Sequence, residues 1–213
     1  RVWSDGKIKG HVYWYRVGVD DFINVEMLNK GYEGITERYK YNPIPLDDRS
    51  REIFSGIETQ HVYSEGDRVW SDGKIKGHVY WYRVGYEEYK EKNGENEKYK
   101  CVEYTRNDRV KYGNDIPECV SVIGEWCFNG CELSTISIPT SVREIGGHCF
   151  RCCPNLESIS IPTSVSYIGE SCFRECYSLT GISIPTSVRR MGNRSFEDCL
   201  SLTPESLSIP TGM

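Results

Sequence analysis

Residues 138–162 read IPTSVREIGGHCFRCCPNLESISIP, and the same phrase recurs on both sides: DIPECVSVIGEWCFNGCELSTISIP at 115–139, IPTSVSYIGESCFRECYSLTGISIP at 161–185 and IPTSVRRMGNRSFEDCLSLTPESLSIP at 184–210. A fixed period of this length marks a stacked-repeat solenoid, in which no unit buries its apolar face without its neighbours. The closing prolines Pro117, Pro139, Pro162, Pro185 and Pro210 stand 22, 23, 23 and 25 residues apart, so the inner units are regular and the outer ones are not. A solenoid offers an extended, repeated surface rather than a deep cleft, which favours binding a macromolecule over catalysis.

Each unit splits into three parts. Val142-Arg143-Glu144-Ile145-Gly146 is expected to form a short strand or turn with Val and Ile facing inward, and its Gly to permit a positive-φ corner. A short helical turn follows, with Cys149-Phe150 and Cys153 on one face through their i, i+4 spacing. Leu156-x-x-Ile159-x-Ile161 then forms a second strand, which proline stops. Stacking at strand spacing turns Phe128, Phe150, Phe173 and Phe196 into a ladder beside ladders of Ile.

The words IPTSV, IG, CF, C-x-x-L and ISIP resemble the BspA-type leucine-rich repeat, a family of surface and interaction proteins of bacteria and parasitic protists. Residues 20–46, 57–67 and 112–117 are similar to the N-terminal region of its amoebic members. The resemblance implies an α/β leucine-rich repeat solenoid of about four repeats over 114–213. Ahead of it, over 1–113, it implies an α+β cap with helix and β-hairpin. It also implies a non-enzymatic protein-binding role and a cell-surface, adhesion-type address, the alternative being an intracellular adaptor. The implied partner is a protein or host-matrix macromolecule.

RVWSDGKIKGHVYWYRVG occurs at 1–18 and again, letter for letter, at 68–85. A recent duplication and an error of gene assembly both account for an undrifted copy. Each copy is expected to form a hairpin, with Asp72-Gly73 turning between Val69-Trp70 and the Val79, Trp81, Arg83 side. Asp20-Asp21 ahead of Phe22, Ile23, Met27 and Leu28 predicts an N-capped amphipathic helix, and the polar run 89–100 a loop within a bridge at 86–113. The chain opens on Arg1 without an initiator Met or a leader and is read as a fragment or processed form.

Residues 1–113 carry 20 basic and 20 acidic side chains, whereas 114–213 carry 6 Arg, no Lys and 11 acids, which weighs against nucleic-acid binding. No apolar run is long enough to span a membrane. Seven of the ten cysteines fall in two repeat columns, Cys127, Cys149 and Cys172 in one and Cys131, Cys153, Cys176 and Cys199 in the other. Packing explains that pattern better than disulfides or a metal ladder, and no cofactor is expected. Cys152 lies off both columns and is the candidate reactive thiol. A thiol- or zinc-dependent activity would draw on Cys149, Cys152, Cys153 and His148. His11, His61 and His78 show no ligand spacing, and the Asn193-Arg194-Ser195 sequon is discounted because Ser195 occupies an inward column. The outward positions of the Leu-x-x-Ile-x-Ile strands are small and uncharged, so the binding candidates are Arg143, Tyr167, Arg189, Arg190, Arg194 and Trp126 on the other variable positions. Self-association through an open last repeat is also expected.

Overall fold

The structure, a computed structural model, describes residues 36–209. The first copy of the 18-residue repeat and the helix expected after Asp20 lie outside the described residues. Contacts divide the chain into two compact units, one running through Tyr82 together with Gly94–Tyr99, the other made of Arg83–Asn93 and Lys100 onward.

In the first unit a 3-10 turn, Thr36–Arg38, precedes helix α1 (Asp48–Ile53). Asp47 caps α1, accepting the Ser50 N–H at 2.7 Å while Ser50 Oγ accepts the Asp47 N–H, a reciprocal capping box. Ile44, Leu46, Phe54 and Ile57 form the small core. Strand β1 (Thr59–Val62) pairs in parallel with β2 (Gly77–Gly85), Thr59 opposite Gly77 and Val62 opposite Tyr80. The second copy of the repeat is therefore not a hairpin. Its turn forms as expected: Gly73 has φ 77° and Asp72 Oδ1 accepts the N–H of Lys74 and Ile75. Residues 69–70, however, do not pair with β2. The Gln60 side chain holds them instead, donating to the Arg68 carbonyl at 2.7 Å and accepting from the Trp70 N–H at 2.9 Å.

The second unit opens with α2 (Tyr86–Lys92), the part of β3 (Glu97–Tyr104) from Lys100 onward, and α3 (Arg106–Tyr112), so most of the stretch expected to be a loop is ordered secondary structure. Aromatic packing accounts for the difference: Tyr86 meets Tyr104 and Tyr112 edge-on at 5.4 and 5.3 Å, and Tyr104 is fully buried. Eight two-residue strands follow: β4 (Val122–Ile123), β5 (Thr135–Ile136), β6 (Glu144–Ile145), β7 (Ser158–Ile159), β8 (Tyr167–Ile168), β9 (Ile182–Ser183), β10 (Arg190–Met191) and β11 (Leu207–Ser208). The end of β3, then β4, β6, β8 and β10, pair in parallel as one sheet; β5 with β7, and β9 with β11, pair along the other strand column.

The core is a set of ladders. Phe128, Phe150, Phe173 and Phe196 stack at centroid spacings of 5.4, 5.5 and 5.6 Å. Val142, Ile145, Leu156, Val165, Ile168 and Leu179 are all at 0% exposure around them. The ladder meets a cap that the repeat pattern does not announce: the Arg109 guanidinium of α3 lies 5.1 Å from the Phe128 centroid and donates to the Cys127 carbonyl.

Two expectations about the repeat change. The turn carrying Cys-Phe is not helical, because its N–H groups reach the next rung: Trp126 to Gly147, Phe128 to Cys149 and Gly130 to Arg151 at 2.8–3.0 Å, with the same three bonds repeated from His148, Phe150 and Cys152. The repeated Gly is not a positive-φ corner either. A Cβ on Gly146 would lie 2.6 Å from the Glu125 nitrogen, and one on Gly169 or Gly192 would meet the backbone of the preceding rung more closely still. These glycines permit close backbone approach. Left-handed residues stand elsewhere, at Trp126, His148, Ser171 and Arg194 and again at Gly130, Cys152, Glu175 and Asp198, with φ between 51° and 68°. Seven of these eight bear side chains, a conformation L-residues reach at a cost of about 1–2 kcal/mol each, and five of them, Trp126, His148, Cys152, Ser171 and Glu175, donate their N–H to the next rung.

Candidate functional site

The variable positions of the β4–β6–β8–β10 sheet come together as an ordered patch. Register places Glu144 opposite Tyr167 and Tyr167 opposite Arg190, while the inward neighbours Ile145 and Ile168 are fully buried. The preceding column is stitched by backbone bonds, Ser166 N–H to the Arg143 carbonyl at 2.8 Å and Arg189 N–H to the Ser166 carbonyl at 2.9 Å. Arg190 lays its guanidinium 5.4 Å from the centre of the Tyr167 ring. Arg143, Tyr167, Arg189 and Arg190 thus occupy three consecutive rungs of one face.

The charges on this face are unevenly satisfied. Arg83 bridges Glu144 at 2.9 Å and Glu103 at 3.3 Å, beside a shallow groove that Glu125 and Tyr167 also line. Burial opposes the Arg83 charge, but Glu103, Cys101 and Glu144 outweigh it and raise the Arg83 pKa. Arg143, Arg189 and Arg190 pair with no carboxylate among the described residues, and all three are exposed. The Arg83–Glu144 bridge joins residues 61 positions apart, so nothing in the local sequence signals it.

Residues 112–212 match the family described as "BspA type Leucine rich repeat region (6 copies)". This part of the chain is a BspA-type leucine-rich repeat array. Among solved structures the chain is similar to the leucine-rich repeat protein of T. pallidum, with 27% identity and a TM-score of 0.41 over 67% of this chain and 56% of that one. It is also similar to a leucine-rich repeat protein from Bacteroides ovatus, with 19% identity and a TM-score of 0.38 over 68% of this chain and 39% of that one. The chain therefore spans little more than half the length of the first of these proteins and less of the second. No curated protein matches it.

In the BspA-type array the remaining candidates lie apart from the patch core. Trp126 is 38% exposed and stacks on His148 at 4.1 Å. Arg194 occupies the same column three rungs on, about 14 Å away at strand spacing, so the two do not form one site. Asn193 is exposed, but Ser195 is buried and its hydroxyl donates to the Gly192 carbonyl at 2.7 Å.

Seven cysteines are buried and three, Cys101, Cys119 and Cys152, are half-buried. In the second column the thiols of Cys153, Cys176 and Cys199 donate to the carbonyls of Phe128, Phe150 and Phe173 at 3.0–3.1 Å, which explains a small residue with a weak donor at that place. Burial raises the Cys127 thiol to about 12 and pushes Cys149 and Cys172 well up. Cys152 sits off the columns as expected, but its surroundings do not activate it. Burial and then Glu175, which accepts its thiol proton at 3.0 Å, raise its pKa, while that bond and Arg151 lower the Glu175 carboxyl. Cys149 is at 0% exposure and His148 spends its ring on Trp126, so these residues do not assemble a thiol–imidazole pair. Among the described residues no group of three His, Cys, Asp or Glu is placed to hold a metal ion.

Thiol titration under native conditions is expected to find at most the three half-buried cysteines, and all ten in denaturant. Rapid native reaction of more than three would contradict the packed columns.

Proposed function

We propose that the array is a non-enzymatic interaction module of the adhesion type that binds a protein or host-matrix partner through the face carrying Arg143, Tyr167, Arg189 and Arg190. One observation carries the reading. Arg151 and Arg174, the other arginines of the inner turns, are tied to Glu175, Glu197 and Asp198, whereas the three arginines of this face are left uncompensated beside an aromatic ring. Arg and Tyr are enriched where binding energy concentrates. The repeat supplies three rungs of such contacts in fixed register, so affinity comes from shape and summed contacts rather than from one deep pocket.

The test is capture of partners by the full chain beside a Tyr167→Ala/Arg189→Ala/Arg190→Ala variant. None of the three side chains belongs to the buried core, so the variant is expected to unfold within about 0.5 kcal/mol of wild type. Loss of a captured partner in a variant with an unchanged melt supports the face. Capture indifferent to the substitutions refutes it. Labelling of surface proteins in intact cells checks the adhesion-type address that this proposal includes.

A further inference from the structure

We infer that the segment recognised by this face is acidic, with carboxylates that meet Arg143, Arg189 and Arg190 across the Tyr167 ring; the inference rests on the proposed reading of the face as a binding site. Its basis is a mismatch between local and overall charge. Residues 114–213 carry 6 Arg against 11 acids, yet three of those arginines gather on one face, Arg143 on one rung and Arg189 and Arg190 two rungs on. Glu144, the carboxylate within the same columns, already carries Arg83 at 2.9 Å. Among the described residues the patch therefore presents three uncompensated guanidinium groups, one of them 5.4 Å from the centre of the Tyr167 ring.

Spacing narrows the occupant. Neighbouring rungs lie about 4.8 Å apart, so Arg143 and Arg189, two rungs apart, are separated by about 10 Å. An extended chain advances about 3.3 Å per residue, which brings carboxylates at i and i+3 to the two arginines and sets the residues between them against Ser166 and Tyr167. Carboxylates suit guanidinium groups because two parallel N–H donors meet two oxygens. A nucleic-acid strand suits the surface poorly: its phosphates continue past the patch, and the array beyond it is acidic.

Fluorescence anisotropy with the full chain tests the inference, using the labelled peptides EGSEGSE, QGSQGSQ and KGSKGSK and a labelled oligo-dT. The expected result is at least fivefold tighter binding of the Glu peptide than of the Gln peptide at low salt, weakened at least fivefold by 0.5 M salt. An Arg189→Glu/Arg190→Glu variant is expected to lose the Glu peptide and gain the Lys peptide, a reversal that loss of folding cannot produce. Equal binding of the Glu and Gln peptides, an unreversed variant, or oligo-dT binding tighter than the Glu peptide would each overturn the acidic assignment. If captured partners are lost in the Ala variant while the peptides show no charge preference, the partner chemistry fails and the face stands. Capture indifferent to the Ala variant removes the face itself.

Discussion

Replacing Phe173 by Ala is expected to lower the unfolding free energy by about 3–5 kcal/mol, the range for deleting a large aromatic side chain from a core. Phe173 is at 0% exposure and stacks on Phe150 at 5.5 Å and on Phe196 at 5.6 Å, so its removal breaks the ladder on both sides. In a stacked array each rung packs only against its neighbours, so loosening the ring stack weakens both contacts of the central rung at once. Against a total stability of about 5–15 kcal/mol the loss is a large share. Phe196→Ala removes one stacking contact and a half-buried ring, and is expected to cost less. Urea unfolding followed by circular dichroism reads both variants; a loss below about 1 kcal/mol for Phe173→Ala would show that the ladder does not hold the array together.

Gly169→Ala is expected to cost about 3 kcal/mol, at the upper end of overpacking, because the added methyl meets the backbone of Gly146 and Gly147 rather than a side chain that can move. Gly130→Ala provides the contrast. Gly130 has φ 68° with no atom near its added Cβ, and the same column holds Cys152, Glu175 and Asp198 at φ 56–62°, so only the left-handed penalty of about 1–2 kcal/mol applies. The order of the two effects decides between close approach and corner geometry as the reason for the repeated Gly. A larger cost at Gly130 than at Gly169 would restore the corner.

Much of the repeat was legible because its side-chain chemistry recurs in each rung. The Phe, Val, Ile and Cys columns follow from period and polarity, and the structure buries them where the pattern places them. The parts that were not legible depend on partners distant in sequence or on backbone geometry that leaves no residue signature. Asp72-Gly73 is a strong local turn signal and predicts a hairpin, yet β2 pairs with β1, on the far side of that turn, and not with residues 69–70. The left-handed columns carry no sequence signature, because Trp126, His148, Ser171 and Arg194 share no chemistry. What they share is backbone geometry, a left-handed φ from which Trp126, His148 and Ser171 donate their N–H to the next rung. In β3 a polar composition masks Val102 and Tyr104, which alternate and pack inward, and in α2 it masks Tyr86, whose ring packs on Tyr104 and Tyr112. The candidate site divides in the same way. Arg143, Tyr167, Arg189 and Arg190 could be read as one stripe from their repeat positions, whereas the compensation of Glu144 by Arg83 needed the fold.

The measurement that bears most directly on the binding face is partner capture by the full chain, by the Tyr167→Ala/Arg189→Ala/Arg190→Ala variant, and by a control with Ser158, Ser160 and Ser183 changed to Asp. Those serines are exposed on the other strand column of the same rungs. The face described here predicts a partner lost by the first variant and retained by the second. A partner lost by the serine variant and retained by the first would place binding on the opposite column and contradict the account.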